Sequence, residues 1–381
     1  MQIQGFYDLQ FETVRDAFAD LFNDPQERGA ALCIQIGGET VIDLWAGTAD
    51  KDGTQAWHSD TIVNLFSCTK TFTAVAALQL VEEGKLALDV PVARYWPEFA
   101  AAGKETITLR QLLSHRAGLP ALRQLMPATA LYEWQTMVQA LAAEAPWWTP
   151  GQGHGYAAIT YGWLVGELIK RADGRSPGQS IVARTATPLS LDFHIGLADG
   201  EFERVAHIAR SKGNLGDEAA QRLLRAMMNE PMSMSTRAFT NPPSIMTSTN
   251  KPEWRRMEQP AANGHGNARS LAGFYSGLLD GQLLEAEMLE QLTREHSAGE
   301  DKTLLTPTRF GLGCMLDQPD RPNATFGLGP QAFGHPGAGG SIGFADPERD
   351  VAFGFVTNTL GPYVLMDPRA QSLVKVLAQC L

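Results

Sequence analysis

The sequence predicts an α+β fold: a lobe built from both ends of the chain, with a helical lobe inserted into it. Three observations carry this. Strand patterns lie near both termini, Ala30 to Ile36 and Glu39 to Trp45 early, Ser341 to Ala345 and Val351 to Thr357 late. Between about 87 and 235 the chain reads as helical segments punctuated by proline and glycine. The length of 381 residues is about two and a half times a typical domain of roughly 150, which gives room for two lobes. The division expected is 1–86 with 236–381 as a discontinuous α/β lobe and 87–235 as a mainly helical lobe. The active site is expected at their junction.

Each element has its own signal. Phe11, Val14, Phe18, Leu21 and Phe22 recur at helical spacing until Gly29 breaks the run. The two early strands are joined by Gly37-Gly38, a turn pair. Ser67 to Glu83 reads as a helix whose apolar side holds Phe72, Val75, Leu78 and Val81, with Gly84 where a C-terminal cap belongs. Thr108 is placed to cap the helix that follows it, and Ala158 to Arg171 is an amphipathic helix ending near Gly174. From about 310 strands return: Phe326 to Phe333, then the two late strands around the turn Asp346-Pro-Glu-Arg-Asp350. A last helix covers about Pro368 to Gln379.

Composition bounds the function. With 44% apolar and 19% charged residues the chain can bury a core. A net charge of −11 argues against binding nucleic acid or an anionic membrane, since both need basic patches. Cys33, Cys68, Cys314 and Cys380 lie far apart, so neither a zinc knuckle nor a disulfide framework is implied. The start, Met1 to Asp8, has no basic or apolar leader pattern, and no run of eighteen apolar residues occurs. The expectation is a soluble cytoplasmic protein with reduced thiols. Nothing here names an oligomeric state.

Three serines compete as a nucleophile. In Ser67-Cys68-Thr69-Lys70 one helical turn brings the amine to the hydroxyl. The helix start leaves the Ser67 N–H free to face an oxyanion, and burial with the helix end would lower the Lys70 pKa. Taken alone the tetrapeptide reads more readily as a serine cap beside a solvated lysine. Gly174-Arg-Ser-Pro-Gly178 and Gly339-Gly-Ser-Ile-Gly343 match the letters of a nucleophile elbow. The first follows a helix and the second runs into strand-turn-strand, so neither has the required strand-to-helix setting. Ser176 is better explained as a cap ahead of Pro177.

Two later motifs decide between them. Pro150-Gly-Gln-Gly-His-Gly-Tyr156-Ala-Ala158 places a tyrosine at the lobe junction, and His335-Pro-Gly-Ala338 leads into a strand. In order and spacing the three pieces resemble the serine β-lactamase/penicillin-binding-protein superfamily, class C β-lactamase-like: S-x-x-K, then Y-x-N, then the K-T-G strand. Leu112-Leu-Ser-His115, Trp148-Thr-Pro-Gly151 and Asn263-Gly-His-Gly-Asn267 look like that branch too, so the likeness runs from about 20 to 375. It implies an antiparallel β-sheet flanked by helices and no cofactor or metal. By the same likeness Ser67 is the nucleophile, with Lys70 and Tyr156 sharing the proton work. The Tyr156 phenol is expected to have a lowered pKa beside an ammonium. The N–H groups of Ser67 and Ala338 form the oxyanion hole, and Gly337 allows close approach.

Two departures matter. Y-x-N is Tyr156-Ala157-Ala158, without the amide, and K-T-G is His335-Pro336-Gly337, without the lysine. These changes look like the family VIII carboxylesterases. A histidine of pKa about 6.5 is only partly cationic at neutral pH, so the site asks less for an anionic substrate. The expected activity is hydrolysis of small or short-chain acyl esters through an acyl-enzyme. The enzyme alternatives are an acyltransferase, a D-stereospecific peptidase or amidase and a weak β-lactamase; a binding or assembly module is the non-enzyme alternative. His335, Gly337, Trp148, His154 and Asn263 are the candidate substrate contacts. Cys68 and Tyr161 read as packing, His115 as a structural histidine, and Trp147 as either packing or an aromatic wall.

Overall fold

The computed structural model describes residues 2–213, 215–243 and 247–381. Nine strands form the main sheet: β1 (Gln4–Tyr7), β2 (Gly29–Ile36), β3 (Glu39–Gly47), β4 (Ser297–Glu300), β5 (Pro307–Phe310), β6 (Met315–Leu316), β7 (Phe333–Pro336), β8 (Ile342–Asp346) and β9 (Val351–Thr357). Their order is β1-β3-β2-β9-β8-β7-β6-β5-β4, antiparallel throughout. The β2–β9 pairing, Ala30↔Thr357 to Ile36↔Val351, joins the two ends of the chain in one sheet. The expected α+β fold is therefore observed.

The main helices are α1 (Glu12–Asp20), α2 (Thr69–Glu82), α3 (Leu109–Leu113), α4 (Thr160–Asp173), α5 (Ala268–Leu279) and α6 (Pro368–Leu377). Thr108 caps α3 in a reciprocal box with Gln111, and Gly174 ends α4 at φ +80°. Helix α5 lies on β2, β8 and β9. The cross-strand pair Gly343↔Gly354 makes that possible: a Cβ on Gly354 would stand 2.2 Å from the Ala268 carbonyl. The neighbouring pair Phe344 and Phe353 points to the opposite face, as strand alternation requires, and stacks at 5.0 Å.

Two expectations need correction. Phe326 to Phe333 is not a strand; β7 begins only at Phe333, and the preceding segment turns, with the Phe326 N–H donating to Asp317. The helix expected from Ser67 starts at Thr69, because Ser67 and Cys68 form the turn before it. Helix α2 also lacks a polar side. Its first five residues, Thr69 to Thr73, are all buried, and it packs against α4 in the molecule's centre.

Candidate active site

The chain approaches Ser67 through residues 63–64, which pair with 265–266; these in turn pair with 193–194. Phe66 then takes φ +48°, a left-handed value that costs energy for a side chain of this size, and it reverses the chain into the Ser67-Cys68 turn. The Lys70 N–H donates to the Ser67 carbonyl at 3.0 Å, so serine and lysine stand one turn apart. Lys70 Nζ lies 3.2 Å from Ser67 Oγ, 2.8 Å from the Ala158 carbonyl and 3.0 Å from the Ala261 carbonyl. Ser67 is half-buried, whereas Lys70 is completely enclosed. Burial without a carboxylate partner pushes its pKa well below the ordinary lysine value.

Tyr156 follows the glycine-rich loop, and its hydroxyl lies within hydrogen-bonding reach of the Ser67 side chain. Lys70 Nζ sits 4.6 Å from the centre of its ring. The sequence leads one to expect a lowered phenol pKa. Burial instead pushes it up, against the Ser67 hydrogen bond and with the Asp301 charge adding to the rise. The phenol is therefore a proton holder at neutral pH.

The third motif ends β7. Gly337 N–H donates to the Ser341 carbonyl at 2.6 Å, so on the alternating ladder the Pro336 nitrogen faces the other way. There the neighbouring strand β6 pairs only with Phe333 and Gly334, and the missing N–H costs no ladder bond. A Cβ on Gly337 would stand 2.4 Å from the Leu65 carbonyl, which fixes glycine here. Ala338 lies exposed on the turn beyond. His335 is 1% exposed; its Nδ1 lies 2.7 Å from the Pro336 carbonyl, and its Nε2 has no hydrogen-bond partner among the described residues. Burial holds its pKa down to about 3, with the Lys70 charge acting in the same direction. The expected partial cation is thus a neutral imidazole.

Ser67, Lys70, Tyr156 and the 335–338 turn are brought together, while Asn263 bridges Phe66 beside Ser67. His154 is buried, its Nε2 2.8 Å from Thr308 Oγ1. Asn263 is buried too, and its amide donates to the Trp254 and Met257 carbonyls while its oxygen accepts the Gln259 N–H. Trp148 is half-buried, with its ring edge against Gly155. Trp147 bonds the Ala121 carbonyl and lies under Arg123. His115, at φ +59°, accepts the Ala157 N–H. Ser176 caps its helix and donates to Glu258, and Ser341 Oγ accepts the Thr357 N–H.

Sequence reasoning missed Asp301, whose carboxylate holds the Tyr156 N–H, and the Ala261 carbonyl on Lys70. A lone aspartate in a loop and a backbone oxygen carry no pattern by which to find them. Among the described residues no helix is long and apolar enough to cross a membrane.

A serine, an enclosed lysine and a tyrosine meeting at one turn is an arrangement of the serine-hydrolase class. The Beta-lactamase family profile matches residues 14–378, and the chain belongs to that family; it is a serine hydrolase of the serine β-lactamase/penicillin-binding-protein superfamily. Esterase/beta-lactamase LipL of Mycobacterium tuberculosis is 34% identical over 379 residues, covering 96% of this chain and 85% of that protein. A penicillin-binding protein homologue from Caulobacter crescentus is 36% identical with a TM-score of 0.89, all of both chains being covered. A family VIII carboxylesterase is 35% identical with a TM-score of 0.87, again over the full length of both chains.

Proposed function

We propose that this serine hydrolase is a carboxylesterase that cleaves small or short-chain acyl esters through an acyl-enzyme on Ser67. The observation that carries the reading is the set of partners around Lys70. A neutral amine has two N–H bonds and one lone pair. The Ala158 and Ala261 carbonyls take the two N–H groups, which leaves the lone pair for the Ser67 hydroxyl at 3.2 Å. Lys70 is then the base of acylation, and Tyr156, held protonated, gives its proton to the leaving alkoxide. The N–H groups of Ser67 and Ala338 stabilise the oxyanion; losing one such donor typically costs about 3–4 kcal/mol.

The neutral His335 supports a preference for uncharged esters over carboxylate-bearing lactams, as does the absence of an amide at Ala158. The small molecule ester is the partner in this reading. Four free cysteines, three of them buried, fit a reducing cytoplasmic setting. The test is a mass spectrum of protein quenched during turnover of a p-nitrophenyl ester. An acyl adduct on Ser67 supports the reading, and its appearance on another residue, or its absence in a protein that turns over the ester, removes it.

A further inference from the structure

Three consecutive residues of the Tyr156 loop are each gripped by a different buried side chain. The Tyr156 N–H lies 3.0 and 3.1 Å from the two oxygens of Asp301, the Ala157 N–H donates to His115 Nδ1 at 3.2 Å, and the Ala158 carbonyl accepts from Lys70. Of these three, only the grip on Tyr156 uses a carboxylate. The Asp301 side chain has no exposure, and a buried carboxylate is costly unless its lone pairs are filled.

They are filled. Besides Tyr156, the N–H groups of Thr303 and Leu304 donate to Asp301 at 2.8 Å each, and the Thr308 hydroxyl donates at 3.2 Å. Because that hydroxyl proton goes to Asp301, Thr308 Oγ1 is left to accept from His154 Nε2 at 2.8 Å. His154 Nε2 is itself 3.9 Å from Asp301. A chain thus runs from His154 through Thr308 to Asp301 and ends on the backbone of the tyrosine.

We infer that Asp301 is the positioning residue of Tyr156, with Thr308 and His154 fixing the carboxylate in turn, so that His154 serves the reaction from behind the cleft. The inference rests on the reading of Tyr156 as the proton-transfer partner of Ser67. It assigns to the β4–β5 connection, remote in sequence from all three motifs, the task of holding the phenol in register with Ser67.

The test is a double-mutant cycle on ethyl butyrate hydrolysis, an alkyl ester whose leaving alkoxide needs the proton, with Asp301→Asn and Tyr156→Phe made singly and together. Asp301→Asn is expected to lower kcat about tenfold or more and to leave KM within about threefold, as for an interaction felt mainly in the transition state. In the Tyr156→Phe background the same substitution should cost less than about twofold, because the group it positions is gone. An equal loss in both backgrounds makes Asp301 a general structural residue and overturns the inference, as does a folded Asp301→Asn enzyme with wild-type kcat. Full activity of Tyr156→Phe alone would instead remove the catalytic reading on which the inference stands. Should Asp301→Asn fail to fold, Thr308→Val carries the same cycle. It should lower kcat only where Tyr156 is present, and Thr308→Ser, which keeps the hydroxyl, should recover the loss; equal kcat for Val and Ser overturns the inference.

Discussion

The Cys68 thiol donates to the His335 carbonyl at 3.2 Å, which ties the turn carrying Ser67 to the strand carrying the third motif. A second, longer contact reaches the Ser341 carbonyl at 3.7 Å. The 67–68 turn and the end of β7 therefore meet on one small side chain. Burial pushes this thiol up to about 12, so it is neither a nucleophile nor a target for alkylation in the native state. Cys68→Ala is expected to keep ester hydrolysis within about tenfold while lowering stability by about 1–2 kcal/mol, read from denaturant midpoints. Iodoacetamide should leave Cys68 unlabelled in folded protein, as peptide mapping can verify.

Ser67→Ala should reduce hydrolysis of a short-chain alkyl ester to background. Lys70→Ala and Tyr156→Phe should each lose about 10²–10⁴ in kcat, the span typical of general acid–base groups. Ser176→Ala and Ser341→Ala, which lose a helix cap with its bond to Glu258 and a contact to Thr357, should retain most activity. Initial rates at saturating ester compare all five.

The acid side of the pH–rate profile has a definite sign. In the proposed mechanism Lys70 works as a base only when neutral, and its pKa is held well below 10.5, so activity should be high above the folded value and fall as pH drops through it. Lys70→Arg keeps a cation that cannot lose its proton, and it should be inactive across the whole profile. An Arg variant with a wild-type profile would exclude lysine as the base.

His335 makes a separate contribution to stability. Its pKa is about 3 in the fold against an ordinary 6.5, so between those values the unfolded chain binds a proton that the native protein does not. Stability from this group is present above 6.5 and is lost as pH falls toward 3. His335→Gln should flatten the acid decline by up to about 1.4 kcal/mol per pH unit relative to wild type. Urea midpoints of the two proteins at a series of pH values give the comparison.

Elements with a strong local signal were legible in the chain. The Gly37-Gly38 hairpin, the Thr108 cap and the Gly174 terminator depend on neighbours a few residues away, and each is found where its residues place it. The Phe326–Phe333 strand was not, because its apolar residues turn inward from an irregular segment held by Asp317, a partner that periodicity cannot reveal. In the site, Ser67 and Lys70 are readable since one helical turn joins them. The titration of Tyr156 and His335 is not, since it is decided by burial among groups such as Phe310, Asp301 and Lys70 that are distant in sequence. Spacing identifies which residues meet; only packing sets their protonation.

The partners of Lys70 are a hydroxyl and two main-chain carbonyls, all within 3.2 Å and none of them an anion. Dissolved ions weaken attraction between separated charges, yet a site assembled from dipoles around an enclosed amine offers them nothing to screen. Turnover of an uncharged ester should accordingly be the same in dilute buffer and in brine, for as long as the fold itself endures.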